Sequence, residues 1–287
     1  MNLLITGDKG FVGKNLISHL RKKKFKIITL KKKIRKKQDI DLKKKKIQTL
    51  IHCAGIAHTN ADKKKIYFNN YDVTKILINS INKKYLKKII FFSTSKIDQI
   101  QYYQGKNSSK NIEDYYCDSK IKAENFIKEY CLRNKVNYSI IRPTLIYGSG
   151  VKGNLYKIAK IIKKGYPLPL MAFDTNKSYL SIKNLSSFVL RTLLDKKTNN
   201  KTFLISDKNP INLKKLISKL YKLNNFKSRN FYIPKFIINF FLKILGKKGI
   251  IISLNNNFVI KKNNSIKGLK WKPKNFSYQD LKNIYYE

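Results

Sequence analysis

The chain has 287 residues, enough for one or two domains with a buried core, and its 42% hydrophobic content is ordinary for a globular protein. Its 63 lysines and arginines stand against 16 acidic residues, a formal charge of +47 and a field that attracts nucleic acid, anionic membrane surfaces and acidic metabolites. Three cysteines without paired or ligand-like spacing exclude a disulfide framework and a cysteine metal site, and predict a reduced, cytoplasmic protein.

Met1 leads straight into the apolar run Asn2–Thr6, which predicts a buried strand and no signal peptide. Gly7, Gly10 and Gly13 follow at three-residue spacing and open a segment of helical periodicity. Strand, glycine turn and helix in this order predict a dinucleotide-binding unit. Gly7 permits the turn, Gly10 lets backbone approach a pyrophosphate, and Gly13 lets helix and strand pack. The helix start at Phe11, Val12 and Gly13 offers amides to the phosphates. A second strand spans 26–30, and the nearly all-lysine stretch 31–46 follows it. Further strands are predicted at 49–53, 88–92, 138–142 and 202–206, and helices at 69–82 and 116–134. Alternation of short apolar strands with helices predicts an α/β doubly wound parallel sheet, a Rossmann fold. Residues 1–149 plus about 183–207 are expected to form it. About 150–182 and 208–287, with the single Trp271, are expected to form a smaller C-terminal substrate-binding lobe. The apolar run Phe231–Leu245 is interrupted by Pro234, Lys235, Asn239 and Lys243, too broken to span a bilayer. It reads as a core or lid helix, with weak peripheral membrane contact as the alternative.

Tyr116 and Lys120 lie four residues apart on the predicted helix, so their side chains share a face. A phenol titrates near 10, and an adjacent ammonium favours the phenolate. The pair is a proton relay suited to hydride transfer at a carbinol.

With the glycine turn, these residues make the chain resemble the extended short-chain dehydrogenase/reductases, the NAD-dependent epimerase/dehydratase family of nucleotide-sugar enzymes. Further landmarks are Ile51-His52-Cys53-Ala54-Gly55, Asn70-Tyr71-Asp72-Val73-Thr74, Phe91-Phe92-Ser93-Thr94-Ser95-Lys96, Arg142-Pro143-Thr144 and Leu168-Pro169-Leu170. The resemblance implies that Thr94 holds the sugar C4 oxygen while Tyr116 moves its proton, and that Lys120 binds the cofactor ribose. It implies cofactor contacts at Ala54, Gly55, Asn70 and Pro143, and substrate contacts at Ser95, Asn154, Leu170 and Lys177, the last toward a diphosphate. Related 4,6-dehydratases carry an Asp-Glu pair where this chain has Ser95-Lys96, so dehydration is not expected.

The second strand ends in Lys31-Lys32-Lys33 rather than a carboxylate, which favours NADP(H) over NAD(H), with Lys31 on the 2′-phosphate. The expected activity is 4-keto reduction of a UDP-hexose or UDP-N-acetylhexosamine in surface polysaccharide synthesis, with 4-epimerisation of such a UDP-sugar as the alternative. A homodimer and no metal are expected. Lysines spread along the whole chain, with Asn, Ile, Tyr and Phe also abundant as AT-rich codons dictate, argue against a dedicated nucleic-acid partner. A non-catalytic dinucleotide sensor or nucleic-acid-binding protein is the alternative of another class.

Overall fold

The structure, a computed structural model, describes residues 1–30, 34, 42–56, 62–100, 114–260, 264–282 and 284. Lys31 and most of the lysine stretch after it lie outside them. The chain divides into two compact units.

The first unit comprises Met1–Thr144, Leu185–Ile205 and Asn263–Trp271. Its sheet holds β1 (Asn2–Thr6), β2 (Lys26–Thr29), β3 (Thr49–His52), β4 (Lys88–Phe92), β5 (Asn137–Pro143) and β9 (Lys201–Ile205). The order is β2-β1-β3-β4-β5-β9 and every pairing is parallel. The doubly wound parallel sheet expected from the sequence is therefore present. Its strands read as unbroken apolar runs because helices cover both faces. Leu3, Leu4, Ile5, Leu50, Ile89, Ile90 and Ile140 are wholly buried. Lys88, a buried cation within β4, donates to Thr192 O (2.5 Å), Thr198 Oγ1 (2.9 Å) and Asn199 Oδ1 (2.7 Å).

The chain runs from β1 outward to β2, then returns to the other side of β1 for β3. That reversal opens a crevice at the C-terminal ends of β1 and β3, where doubly wound sheets bind ligands. Helix α1 (Phe11–Arg21) starts beside it. Helices α2 (Lys63–Tyr67) and α3 (Val73–Ser80) are joined by one π-helical turn, Phe68–Asp72, and α4 (Tyr115–Asn134) precedes β5.

The second unit comprises Leu145–Asn184, Ser206–Lys262 and Lys272–Glu287. It starts at Leu145 rather than 150, because β6 (Leu145–Tyr147) pairs with β8 (Tyr179–Ser181). Helix α5 (Asn154–Lys163) lies between them in sequence. β7 (Asn176–Lys177) pairs antiparallel with β10 (Ile211–Asn212). Buried Asp207 accepts from Tyr147 Oη (2.7 Å), Ser181 N (2.9 Å) and Asn184 Nδ2 (2.6 Å), so hydrogen bonds stand in for a cation there. Helix α6 (Ile182–Leu194) leads back into the first unit, and α7 (Leu213–Leu223), α8 (Lys235–Ile244), α9 (Lys248–Asn255) and α10 (Tyr278–Lys282) follow in the second.

Two sequence expectations are corrected. Trp271 belongs to the first unit: its ring lies 4.7 Å from that of Phe188 and its Nε1–H donates to Ser187 Oγ (2.9 Å), burying the largest apolar side chain with its polar atom satisfied. The apolar run around 231–245 is no core helix, for none of the residues of α8 is buried.

Candidate active site

The glycine turn is set by sterics. Gly7 has φ +73°, and a Cβ on it would lie 2.8 Å from Ala54 N and 2.9 Å from Cys53 C. A Cβ on Gly13 would lie 2.1 Å from Gly7 O. Gly10 N–H closes the turn on Gly7 O at 2.9 Å, and Gly10 caps α1 in an extended conformation without a side-chain cap. The first amides of α1, at Phe11, Val12 and Gly13, are thus presented at a helix N-terminus that no side chain closes, which suits a pyrophosphate. The backbone fits a dinucleotide here. Beyond the turn, a cavity of about 570 Å³ is lined by Asp8, Lys14, Ile17, Ser18, Arg21, Lys22 and Thr29. Three cations along α1 and one carboxylate line it, with Thr29 at the end of β2.

Across the crevice, Ala54 and Gly55 follow the end of β3. A Cβ on Gly55 would meet Asn70 Oδ1 at 2.8 Å and Lys120 Nζ at 3.3 Å, so the position leaves no room for a side chain. Asn70, buried in the π-helical turn, holds this strand end: Ile56 N–H donates to its Oδ1 (2.8 Å), while its Nδ2 donates to Ile56 O (3.2 Å) and Ser119 Oγ (3.1 Å). Three of the amide's four hydrogen-bonding directions are set by backbone and helix neighbours, so Asn70 is a positioning residue.

Thr94 and Ser95 follow β4. Thr94 Oγ1 accepts from Lys96 N (3.2 Å), and Ser95 N–H donates to Pro143 O (3.1 Å), which puts the ends of β4 and β5 together. The Thr94 and Tyr116 hydroxyls share a hydrogen bond. Lys120 Nζ donates to Phe92 O (2.7 Å) and lies 4.5 Å from the centre of the Phe91 ring. Its ammonium is aimed at the end of β4, and burial lowers its pKa to about 8. The expected depression of Tyr116 by Lys120 is not found. Desolvation pushes the Tyr116 hydroxyl up to about 12, opposed by the Thr94 hydrogen bond.

Three ion pairs hold these elements. Lys96 pairs with Asp114, which caps α4 by accepting from Cys117 N (3.0 Å). Arg142 makes two bonds to Glu124 of α4 (2.9 and 2.7 Å) and one to Asp98 (3.1 Å). The fork fixes α4 against β5, and with them Tyr116 against Thr94.

Sequence reasoning missed a chain of hydrogen bonds through buried His52. Thr74 Oγ1 donates to Asn70 O (2.8 Å), so it accepts from His52 Nε2 (2.9 Å). His52 Nδ1 is then an acceptor for Thr6 Oγ1 (2.6 Å), which accepts from Ala54 N at 3.4 Å. The only signal was a histidine and a threonine inside apolar strands.

In the first unit the structure brings together Gly7, Gly10, Phe11, Val12, Gly13, Ala54, Gly55, Asn70, Thr94, Ser95, Tyr116, Lys120 and Pro143. Asn154, Leu170 and Lys177 belong to the second unit. Asn154 is exposed at the start of α5, and Leu170 N–H donates to Asn230 Oδ1 (3.0 Å). Lys177 Nζ donates to Ser253 O and to Ser253 Oγ (2.8 Å), and burial lowers its pKa to about 8. Among the described residues no cluster of side chains could hold a metal ion.

The profile of the NAD dependent epimerase/dehydratase family matches residues 3–203. A UDP-glucose 4-epimerase of Vibrio cholerae is 27% identical over 298 residues, 95% of this chain and 90% of that protein. Among solved structures, the UDP-glucuronic acid 4-epimerase of Bacillus cereus in complex with NAD superposes with a TM-score of 0.75 at 16% identity, covering 99% of this chain and all of that one. RMD from Pseudomonas aeruginosa, complexed with NADPH, gives 0.77 at 18% identity, with 99% and 97% covered. At such identities the likeness is one of fold.

Proposed function

The chain belongs to the NAD-dependent epimerase/dehydratase family, and we propose that it transfers hydride at C4 of a UDP-hexose or UDP-N-acetylhexosamine, interconverting the two C4 epimers. It is an NAD(P)-dependent enzyme of the extended short-chain dehydrogenase/reductases. The observation that carries the proposal is the Thr94–Tyr116 hydroxyl pair, standing with Lys120 beside a dinucleotide turn in one unit.

A bound nicotinamide dinucleotide would accept the hydride from C4 and return it, and in its oxidised form would add a positive charge that favours the Tyr116 phenolate. Thr94 holds the C4 oxygen by its hydroxyl. Tyr116 takes the proton from that oxygen as the carbinol is oxidised and returns it on reduction. Burial keeps its hydroxyl protonated, the form that donates, and the Thr94 hydrogen bond favours the phenolate that the reverse direction needs. Lys120, anchored on Phe92 O and close to Gly55, would bind the cofactor ribose. Asn154 and Leu170 contact the uridine side. Lys177 would exchange Ser253 for the diphosphate, its burial strengthening attraction to an anion. Lys14, in the first turn of α1 and on the lining of the cavity beside Thr29, supports NADP(H).

A second reading, 4-keto reduction, is favoured by the lysines that replace a ribose-anchoring carboxylate after β2, since weaker retention suits exchange of spent cofactor. Denaturing the purified protein and assaying released nicotinamide separates the two. Stoichiometric cofactor, with interconversion of UDP-N-acetylglucosamine and UDP-N-acetylgalactosamine without addition, supports the epimerase. An empty protein that consumes added NADPH with a 4-keto sugar establishes the reductase. Neither activity with any UDP-sugar refutes both.

A further inference from the structure

Helix α8 carries five large apolar side chains on open surface: Phe236, Phe240, Phe241, Ile244 and, at its end, Leu245 are 60–73% exposed. Phe236, Phe240 and Ile244 follow one another at four-residue intervals, and Phe241 and Leu245 form a second line beside them. Tyr232, 66% exposed, extends the apolar surface toward the N-terminal side. A patch of this kind on a single helix needs a partner.

The charge around it identifies the partner. Lys235, Lys243 and Lys247, all exposed, stand at the two ends of the apolar lines. In the surrounding sequence, from Lys208 to Gln279, every charged side chain is lysine or arginine. A second copy of a chain carrying +47 would add like charge to like. A nucleic acid would neutralise the lysines and leave the phenylalanines in water. An anionic bilayer surface satisfies both: headgroups meet the lysines, and the acyl boundary takes the aromatic lines. Ten residues of helix span about 15 Å, half of what a crossing requires, and among the described residues no helix is long and apolar enough to cross a membrane.

We infer that α8 docks this protein onto anionic membrane surfaces, lying in the interface with Phe236, Phe240 and Ile244 inserted and Lys235, Lys243 and Lys247 on the headgroups. The inference is independent of the reaction at C4.

The test is co-sedimentation of the full chain with phosphatidylcholine vesicles, alone or with about 30% phosphatidylglycerol. Wild type should partition onto the anionic vesicles and only weakly onto neutral ones. Phe236→Ser/Phe240→Ser/Ile244→Ser should reduce partitioning at least about 10-fold, as expected for removing aromatic anchors from an interface. Lys235→Gln/Lys243→Gln/Lys247→Gln should reduce it about threefold or more, and the single Phe240→Ser likewise should a triple variant misfold. Circular dichroism and melting should be unchanged, because these side chains lie outside the core. Wild type that ignores anionic vesicles overturns the inference. So does an apolar variant that binds as wild type does, since scattered lysines then suffice. A wild-type dimer that the apolar variant dissociates assigns the face to a second copy, and also overturns it.

Discussion

Replacing His52 with glutamine tests the hydrogen-bond chain between the glycine turn and Asn70. The imidazole is buried between Thr6 and Thr74, and desolvation together with the charge of Lys120 lowers its pKa from 6.5 to about 3. The unfolded chain protonates this ring below about pH 6.5, and the native chain does so only near 3. Across that window the unfolded state holds more protons, so native stability falls as the pH falls. A group titrating near 6.5 in the unfolded chain alone removes about 1.4 kcal/mol between pH ~7.5 and ~5.5. Urea unfolding of wild type and His52→Gln, followed by circular dichroism at both pH values, measures this directly. Every other titratable group is common to both proteins, so the difference between the two pH dependences isolates residue 52. At pH ~7.5 the variant should be less stable by about 1–3 kcal/mol, because the Thr6 hydroxyl loses its acceptor. Its further loss on acidification should be smaller than that of wild type by about 1.4 kcal/mol. Identical pH dependences would show that the native imidazole protonates freely, and the chain of oriented bonds would then be wrong.

Tyr116→Phe keeps the ring and removes the hydroxyl bonded to Thr94, so turnover should fall at least about 100-fold with melting unchanged; turnover near that of wild type rules out the proton relay. Gly13→Ala sets a methyl 2.1 Å from Gly7 O, and Gly7 is itself backed by Cys53 and Ala54, so the turn cannot yield sideways. Cofactor binding should be lost and stability reduced by about 1–3 kcal/mol, seen in fluorescence titration and melting, and a variant that titrates like wild type contradicts the close packing. Lys14→Ala removes the first-turn cation of α1 from the cavity beside Thr29, so the Kd for NADPH should rise about 10-fold while that for NADH changes little; an equal rise for both would detach Lys14 from the 2′-phosphate.

Much of the first unit was legible because its signals are local. Apolar runs such as Leu3-Leu4-Ile5 need helices on both faces, and Gly7, Gly10 and Gly13 admit few turns. Tyr116 and Lys120 reveal a shared face by spacing alone. What the sequence concealed depends on distant partners. His52 meets Thr6 and Thr74 across 46 and 22 residues, and neither contact leaves a periodic trace. The proton affinity of Tyr116 is governed by desolvation, which no pairwise spacing reports. Trp271 read as part of the lobe that surrounds it in sequence, yet it packs on Phe188. The phenylalanines of α8 read as core because their periodicity is that of a buried stripe, and only tertiary placement shows that nothing in their own unit covers them.

The return of Asn263–Trp271 to the first unit governs how the chain is made. During synthesis the N-terminal sheet emerges first, but its last strand, Lys201–Ile205, follows a long excursion, and the indole that covers Phe188 comes later still. Until that strand arrives the edge of β5 offers unpaired backbone groups, and until the indole does the apolar surface it covers stays wet. The nascent protein therefore passes through a stage in which most of its mass is present and its first core is open, the stage at which aggregation and chaperone capture compete with folding. A message cut short before codon 263 would leave its product at that stage permanently, even though every residue of the glycine turn and of the Thr94-Tyr116-Lys120 set had been translated.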